Sequence, residues 1–139
     1  MKPAVVFFNA SVVLSGLRSP KGGSAKLINW CQKKKIKGII SEIVLDEIRR
    51  NLSKIKINNN RIKKAVLAFS SIEPAPTARN VNKFLKIVID PGDAHVLASG
   101  LEAKAKYLVS LDKKHILVLQ NQITNFKIVN PKELIKRLS

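Results

Sequence analysis

Four short apolar runs limit what this chain can become: AVVFF (4–8), GII (38–40), YLVSL (107–111) and FKIV (126–129). Each is too short for a stable helix and is rich in β-branched or aromatic residues, so each reads as a strand. AVVFF is apolar at every position rather than at alternate ones. A strand of that kind must be covered on both faces, which is the situation in parallel sheets flanked by helices. The stretches between the runs supply the helices. RSPKGG (18–23) is a turn by composition, and after it Ala25, Leu27, Ile28 and Cys31 form a helical stripe. Ser24 is the expected cap of that helix, and Lys33, Lys34, Lys35 and Lys37 its basic C-terminal tail. Ser41 is placed to cap EIVLDEIRRNL, and Ile62, Ala65, Val66 and Phe69 recur at helical spacing within Asn59 to Ser70. EPAPTARN (73–80) reads as a loop, and Asp90-Pro91-Gly92 as the entrance to a helix reaching Ala103. A short helix is expected after Asp112, and Asn130-Pro131-Lys132-Glu133 is a capping box opening a last helix. The expected fold class is α/β, with a mainly parallel sheet covered on both faces. With no repeat and no linker in 139 residues, one domain over 1–139 is expected.

Charge narrows the partner. Twenty-six Lys and Arg stand against nine Asp and Glu, a net charge of +17. Such an excess repels itself in a compact state unless a polyanion or counterions neutralise it, and nucleic acid is the default polyanion. Solubility, or adaptation to heat or salt, is the competing reading. Five Phe, one Trp and one Tyr are too few for a base-stacking platform. The longest apolar run is far short of the ~20 residues of a spanning helix, and no signal-peptide pattern opens the chain, so no membrane association is expected. The single cysteine, Cys31, excludes an intramolecular disulfide and fits a reducing compartment, hence an expected cytoplasmic location. One Cys with His95 and His115 is too small a set for a zinc cluster.

In parallel α/β sheets the functional crevice lies beyond the carboxyl ends of the strands. Three of the nine acids fall near it. Asp112 directly follows YLVSL, where a carboxylate has no role in the ladder. Asp93 opens the helix leading into that strand, with capping of the helix as its competing role. Glu47 borders the apolar face made by Val44, Leu45 and Ile48, a costly place for a charge without a compensating cation. Basic side chains or a divalent metal could compensate it, and a cluster of hard oxygen ligands suits Mg2+ or Mn2+. The other acids have structural readings. Asp90 is an N-cap, Asp46 and Glu42 are surface partners of Arg49 and Arg50, Glu133 belongs to the capping box, and Glu73 and Glu102 are ordinary surface. His95 and His115 read as solvated or capping residues. Ser110, two residues before Asp112, either hydrogen-bonds a ligand of the crevice or fills the strand.

The succession NASVVLSGL (9–17), SEIVLDEI (41–48) and DPGDAHVLASGLEAKAKYLVSLDKK (90–114) resembles the PIN domain family, in particular its stand-alone, VapC-like group of toxins from toxin–antitoxin systems. The resemblance runs from about residue 4 to residue 136 and is most specific in the last block. It implies a three-layer α/β/α sandwich and a Mg2+- or Mn2+-dependent endoribonuclease with an acidic quartet. Carried over by position, Glu47, Asp93 and Asp112 are three of the four metal-binding, catalytic acids. Asn9 stands where the first aspartate belongs. Ser110 falls where the family has Thr or Ser, and Ala10-Ser11 replace the usual Thr-Asn, Ser11 still offering a hydroxyl. The resemblance also implies RNA as substrate, an antitoxin protein as partner and a homodimer. Lys113, Lys114, Arg49 and Arg50 are the expected phosphate-contacting residues. Asn9 keeps the shape of aspartate but removes a negative charge, so weakened metal binding and cleavage are expected. An engineered inactivation, a degenerate enzyme that binds RNA without cutting, and a weakly active amide-liganded enzyme are three readings of it. A non-catalytic nucleic-acid-binding module accounts for the charge and Asn9 but not for the three matched acids. A phosphoryl-transfer receiver domain needs an acidic pair where Asn9-Ala10 stands.

Overall fold

A computed structural model describes residues 2–139. Five strands, β1 (Ala4–Phe8), β2 (Ile36–Ser41), β3 (Ser71–Glu73), β4 (Tyr107–Val109) and β5 (Lys127–Val129), form one sheet in the order β3-β2-β1-β4-β5. Every pairing is parallel. β1 lies at the centre, with Val5 opposite Lys37 on one side and Phe7 opposite Leu108 on the other. The fully apolar runs are central for the reason given by their composition. Val6, Phe7, Phe8, Leu108 and Val109 have no exposed surface, so side chains on both faces of the sheet are covered.

The chain winds from β1 to β2 to β3 in one direction and then returns past β1 to β4 and β5. Right-handed crossovers place the helices of the two excursions on opposite faces. α1 (Ala10–Arg18), α2 (Gly23–Gln32), α3 (Glu42–Leu52) and α4 (Asn59–Leu67) make the first layer, where α1 packs on α2, α3 and α4. α7 (Pro131–Leu138) joins that layer against α2. α5 (Ala78–Leu85) and α6 (Ala94–Glu102) pack on each other in the second layer. The α/β/α sandwich follows.

Several elements differ from expectation. β4 ends at Val109 rather than Leu111; the Ser110 N–H still donates to the Val129 carbonyl at 3.0 Å, while its hydroxyl donates to Asn9 and accepts from the Asp112 N–H. α2 begins at Gly23 behind Gly22, and Ser24 is a buried residue of its first turn rather than the cap. The helix stops at Gln32, before the lysine run: Lys34 takes a left-handed φ of 59°, Lys35 lies over the Trp30 ring at 3.9 Å, and Lys37 is in β2. Asn58 caps α4, which ends at Leu67 instead of Ser70. Residues 91–93 form a 3-10 turn before α6 proper, and the segment after Asp112 yields another at Leu117–Leu119. The supposed loop at 73–80 contains the start of α5, capped by Thr77 through the Asn80 N–H. Glu102 ties this start down, accepting hydrogen bonds from Asn80, from the Thr77 N–H and from the Thr77 hydroxyl, and these bonds hold its carboxyl below the ordinary value. Ser41 and the Asn130–Glu133 box cap α3 and α7 as expected.

Cys31 is buried in the core, and burial pushes its thiol up to about 12, leaving an inert apolar group. It packs over Gly38, where an added Cβ would come within 2.5 Å of the Cys31 Sγ and 3.0 Å of Phe69. Gly38→Ala is therefore expected to destabilise the fold by roughly 1–3 kcal/mol through overpacking. A urea titration reads the loss, and Cys31→Ala in the same chain should recover part of it.

Candidate metal centre

The strand order reverses at the β1/β4 boundary, and the residues leaving these two strands meet there. Asn9 follows β1 and keeps pairing with β4, its N–H donating to the Val109 carbonyl at 3.0 Å. Its side chain is almost wholly buried, and its Oδ1 accepts two hydroxyl protons, from Ser11 at 2.7 Å and Ser110 at 3.1 Å. Each serine oxygen in turn accepts a backbone N–H at 3.1 Å: Leu111 to Ser11, and Asp112 to Ser110. These two chains of bonds run from the Asn9 oxygen to the loop carrying Asp112. They also orient the Asn9 amide, since hydroxyls that already accept an N–H donate their protons to an oxygen.

Asp112 Oδ1 accepts the His115 N–H at 3.1 Å, closing the turn after β4, and Oδ2 lies 3.3 Å from His115 Nδ1. Asp93 approaches from the other layer, at the junction of the 3-10 turn and α6. Its capping role is taken by Asp90, whose Oδ1 accepts the Gly92 N–H, and Asp93 Oδ2 is buried without any hydrogen-bond partner. One ligand atom each from Asp93, Asp112 and His115 lie within 4.8 Å of one another. Burial raises the Asp93 carboxyl above its ordinary value, with the charges of Asp112 and Asp90 adding to the rise and His115 and His95 opposing it. An orphaned carboxylate oxygen among like charges fits a cation, and these residues could hold a divalent ion.

Glu47 stands apart from this group. It is partly exposed on α3, and its Oε1 lies 3.7 Å from His95 Nε2 on α6. The basic group within 4 Å of it is therefore an imidazole rather than a lysine or arginine. His95 is not the solvated residue its position suggests: it is mostly covered, and its Nδ1 is buried without a partner. His115, likewise discounted from the sequence, touches Asp112. The signal for it was the Asp112/His115 spacing of three, which one turn of chain brings together. Lys113 and Lys114 are exposed beside Asp112. Arg49 and Arg50 are exposed on α3, but Arg49 borders an apolar groove lined by Leu45, Ile48, Leu52 and Ile62. The expected pairing of Glu42 and Asp46 with these arginines is absent. Among the described residues the carboxylate contacts to basic groups within 4 Å both involve imidazoles, His95–Glu47 and His115–Asp112, so no lysine or arginine there has a carboxylate partner.

A raised carboxyl carries a stability cost with a definite sign. Asp93 binds its proton more tightly folded than unfolded, so its contribution is favourable at low pH and is lost as pH rises through its folded-state titration. Asp93→Asn is expected to raise the melting temperature of the metal-free protein at pH 7 and to flatten its pH dependence above the carboxylate range. Thermal melts from pH 4 to 8 with chelator present check this.

The PIN domain family model matches residues 5–114. The uncharacterized protein MJ1680 of Methanocaldococcus jannaschii is 30% identical over 142 aligned positions, covering 94% of this chain and 89% of the relative. Among solved structures, VapBC2 from Rickettsia felis, bound to a DNA fragment from its promoter, matches with a TM-score of 0.63 at 18% identity, covering 91% of this chain and 98% of that one. No helix among the described residues is long and apolar enough to cross a membrane.

Proposed function

Because the chain belongs to the PIN domain family, we propose that it is a metal-dependent endoribonuclease of toxin type, weakened by Asn9. The observation that carries this reading is the buried, unpartnered Asp93 Oδ2 beside Asp112. A purely structural carboxylate in that position would cost stability with nothing in return. Asp93 and Asp112 would hold Mg2+ or Mn2+, and the family resemblance adds Glu47 and the Asn9 position to the ligand set. Bound there, a divalent ion would make an attacking water more acidic and would offset the negative charge that develops on the scissile phosphate. The chain's own residues do the placing. Ser110 and Ser11 hold the Asp112 loop against Asn9, and His95 restrains the Glu47 carboxylate. Lys113, Lys114, Arg49 and Arg50 contact phosphates without reading sequence. An antitoxin partner is proposed from the likeness to a VapBC complex, and a homodimer from the family resemblance.

One observation favours a second reading, an RNA-binding protein with a silent site: the Asn9 oxygen is engaged by two hydroxyls, and what remains of its amide is a donor. Cleavage of a mixed RNA in Mn2+ separates the two. The comparison is between this chain, Asn9→Asp, and Asn9→Asp with Asp112→Ala. Cutting by the single variant and none by the double supports the nuclease. Binding without cutting by all three supports the silent site.

The lysines have their own test. Reversing Lys113 and Lys114 to glutamate is expected to weaken RNA binding and to flatten the slope of log affinity against log salt by about 1.4, at roughly 0.7 per contact on a single strand. An unchanged slope removes these residues from the RNA path.

A further inference from the structure

We propose that His115 is a protein ligand of the metal, which makes the centre a mixed carboxylate–imidazole site that favours a borderline transition ion over Mg2+. The inference rests on the metal-dependent reading above and names a ligand outside the acidic quartet. Three observations carry it. His115 supplies one of the three ligand atoms that lie within 4.8 Å of each other, whereas Glu47 is not in that group and is engaged with His95. Donors sharing one small divalent ion stand roughly 3–4 Å apart, given bond lengths near 2.1 Å, so the group needs only a modest contraction. The His115 Nδ1 faces Asp112 Oδ2 at 3.3 Å, the relation two donors on one ion adopt, and the ring is about a third exposed, free to make that adjustment.

The donor count gives the reason. With asparagine at position 9, whose oxygen is already engaged by two serine hydroxyls, the site is a carboxylate short. Imidazole replaces a donor without replacing the charge. Mg2+ prefers hard oxygens and keeps much of its water, while Co2+ and similar ions accept nitrogen readily. The same exchange that weakens an Mg2+ site therefore costs a transition ion less.

Binding of Co2+ alone and of Mg2+ alone, each followed by calorimetry on the full chain and on His115→Ala, tests the assignment. The expected result is a loss of at least ~10-fold in Co2+ affinity with Mg2+ changed less than ~3-fold, together with a change in the Co2+ visible absorption as nitrogen leaves the coordination sphere. If His115 only steadies Asp112, both affinities fall together and the spectrum keeps its shape, and the proposal is overturned. It is also overturned if neither affinity moves. Asp112→Ala separates the underlying reading: it should abolish binding of both ions, and failure of the unaltered chain to bind either ion defeats the metal centre itself. His115 is about a third exposed at the surface, and a thermal melt of His115→Ala confirms that the variant is folded.

Discussion

Asn9→Asp is expected to raise both Mn2+ affinity and the rate of RNA cleavage at least ~10-fold, about 1.4 kcal/mol in each. The local structure explains why the gain should come without rearrangement. Oδ1 of residue 9 already accepts the Ser11 and Ser110 protons, and an aspartate can keep both bonds with one of its oxygens. The other oxygen then stands where the amide nitrogen was, converting a donor into an anionic acceptor. The same change adds a buried negative charge to a region where Asp93 is already held above its ordinary value by burial and by Asp112. The metal-free variant should therefore melt lower than the parent chain at pH 7, and saturating Mn2+ should raise its melting temperature by more than it raises the parent's. Calorimetry, paired melts and a cleavage time course read the three effects. Tighter Mn2+ binding without faster cleavage would make position 9 a ligand but not the cause of low activity.

Asp112→Ala, made in the Asn9→Asp chain so that there is activity to lose, is expected to reduce cleavage on the order of 10³-fold, the scale seen when one group stabilising transition-state charge is removed. The accompanying stability change should be small, because two effects oppose. The variant loses the acceptor of the His115 N–H, worth about 1 kcal/mol, and relieves the repulsion that Asp112 exerts on Asp93. Asp112→Asn keeps the acceptor and drops only the charge. Loss of cleavage in both variants, with melting temperatures close to the parent's, assigns the effect to chemistry instead of folding. Retained cleavage in either one removes Asp112 from the centre.

The parallel sheet was legible because its central strand β1 is apolar at every position, and burial on both faces is the arrangement that explains Val6, Phe7 and Phe8 together. The Asn130 box was legible because both of its bonds are local. Elements held by tertiary contact were not. β3 is a three-residue edge strand whose pairing with β2 is invisible in its own composition. α5 follows two prolines and depends on Glu102, some 25 residues away, to fasten its start. α1 carries no acidic first-turn residue and no side-chain cap, and forms because Val12, Val13 and Leu17 reach the core. At the centre, Asp93 and Asp112 could be picked out as acids near strand ends. The partners could not: Glu47 finds His95 across the layers, and the engagement of Asn9 depends on Ser110, 101 residues further along.

That separation has a meaning in time. A chain is made from its N-terminus, and Asn9 and the strand before it exist long before anything can complete them. β4 must slide in beside β1 before Ser110 can reach Asn9, and β5 must follow to give β4 its second neighbour. The turn bearing Asp112 and His115 is made about a hundred residues after Asn9, so in the order of synthesis the first strand waits for its site partners, and the centre closes only when the two halves of the sheet meet.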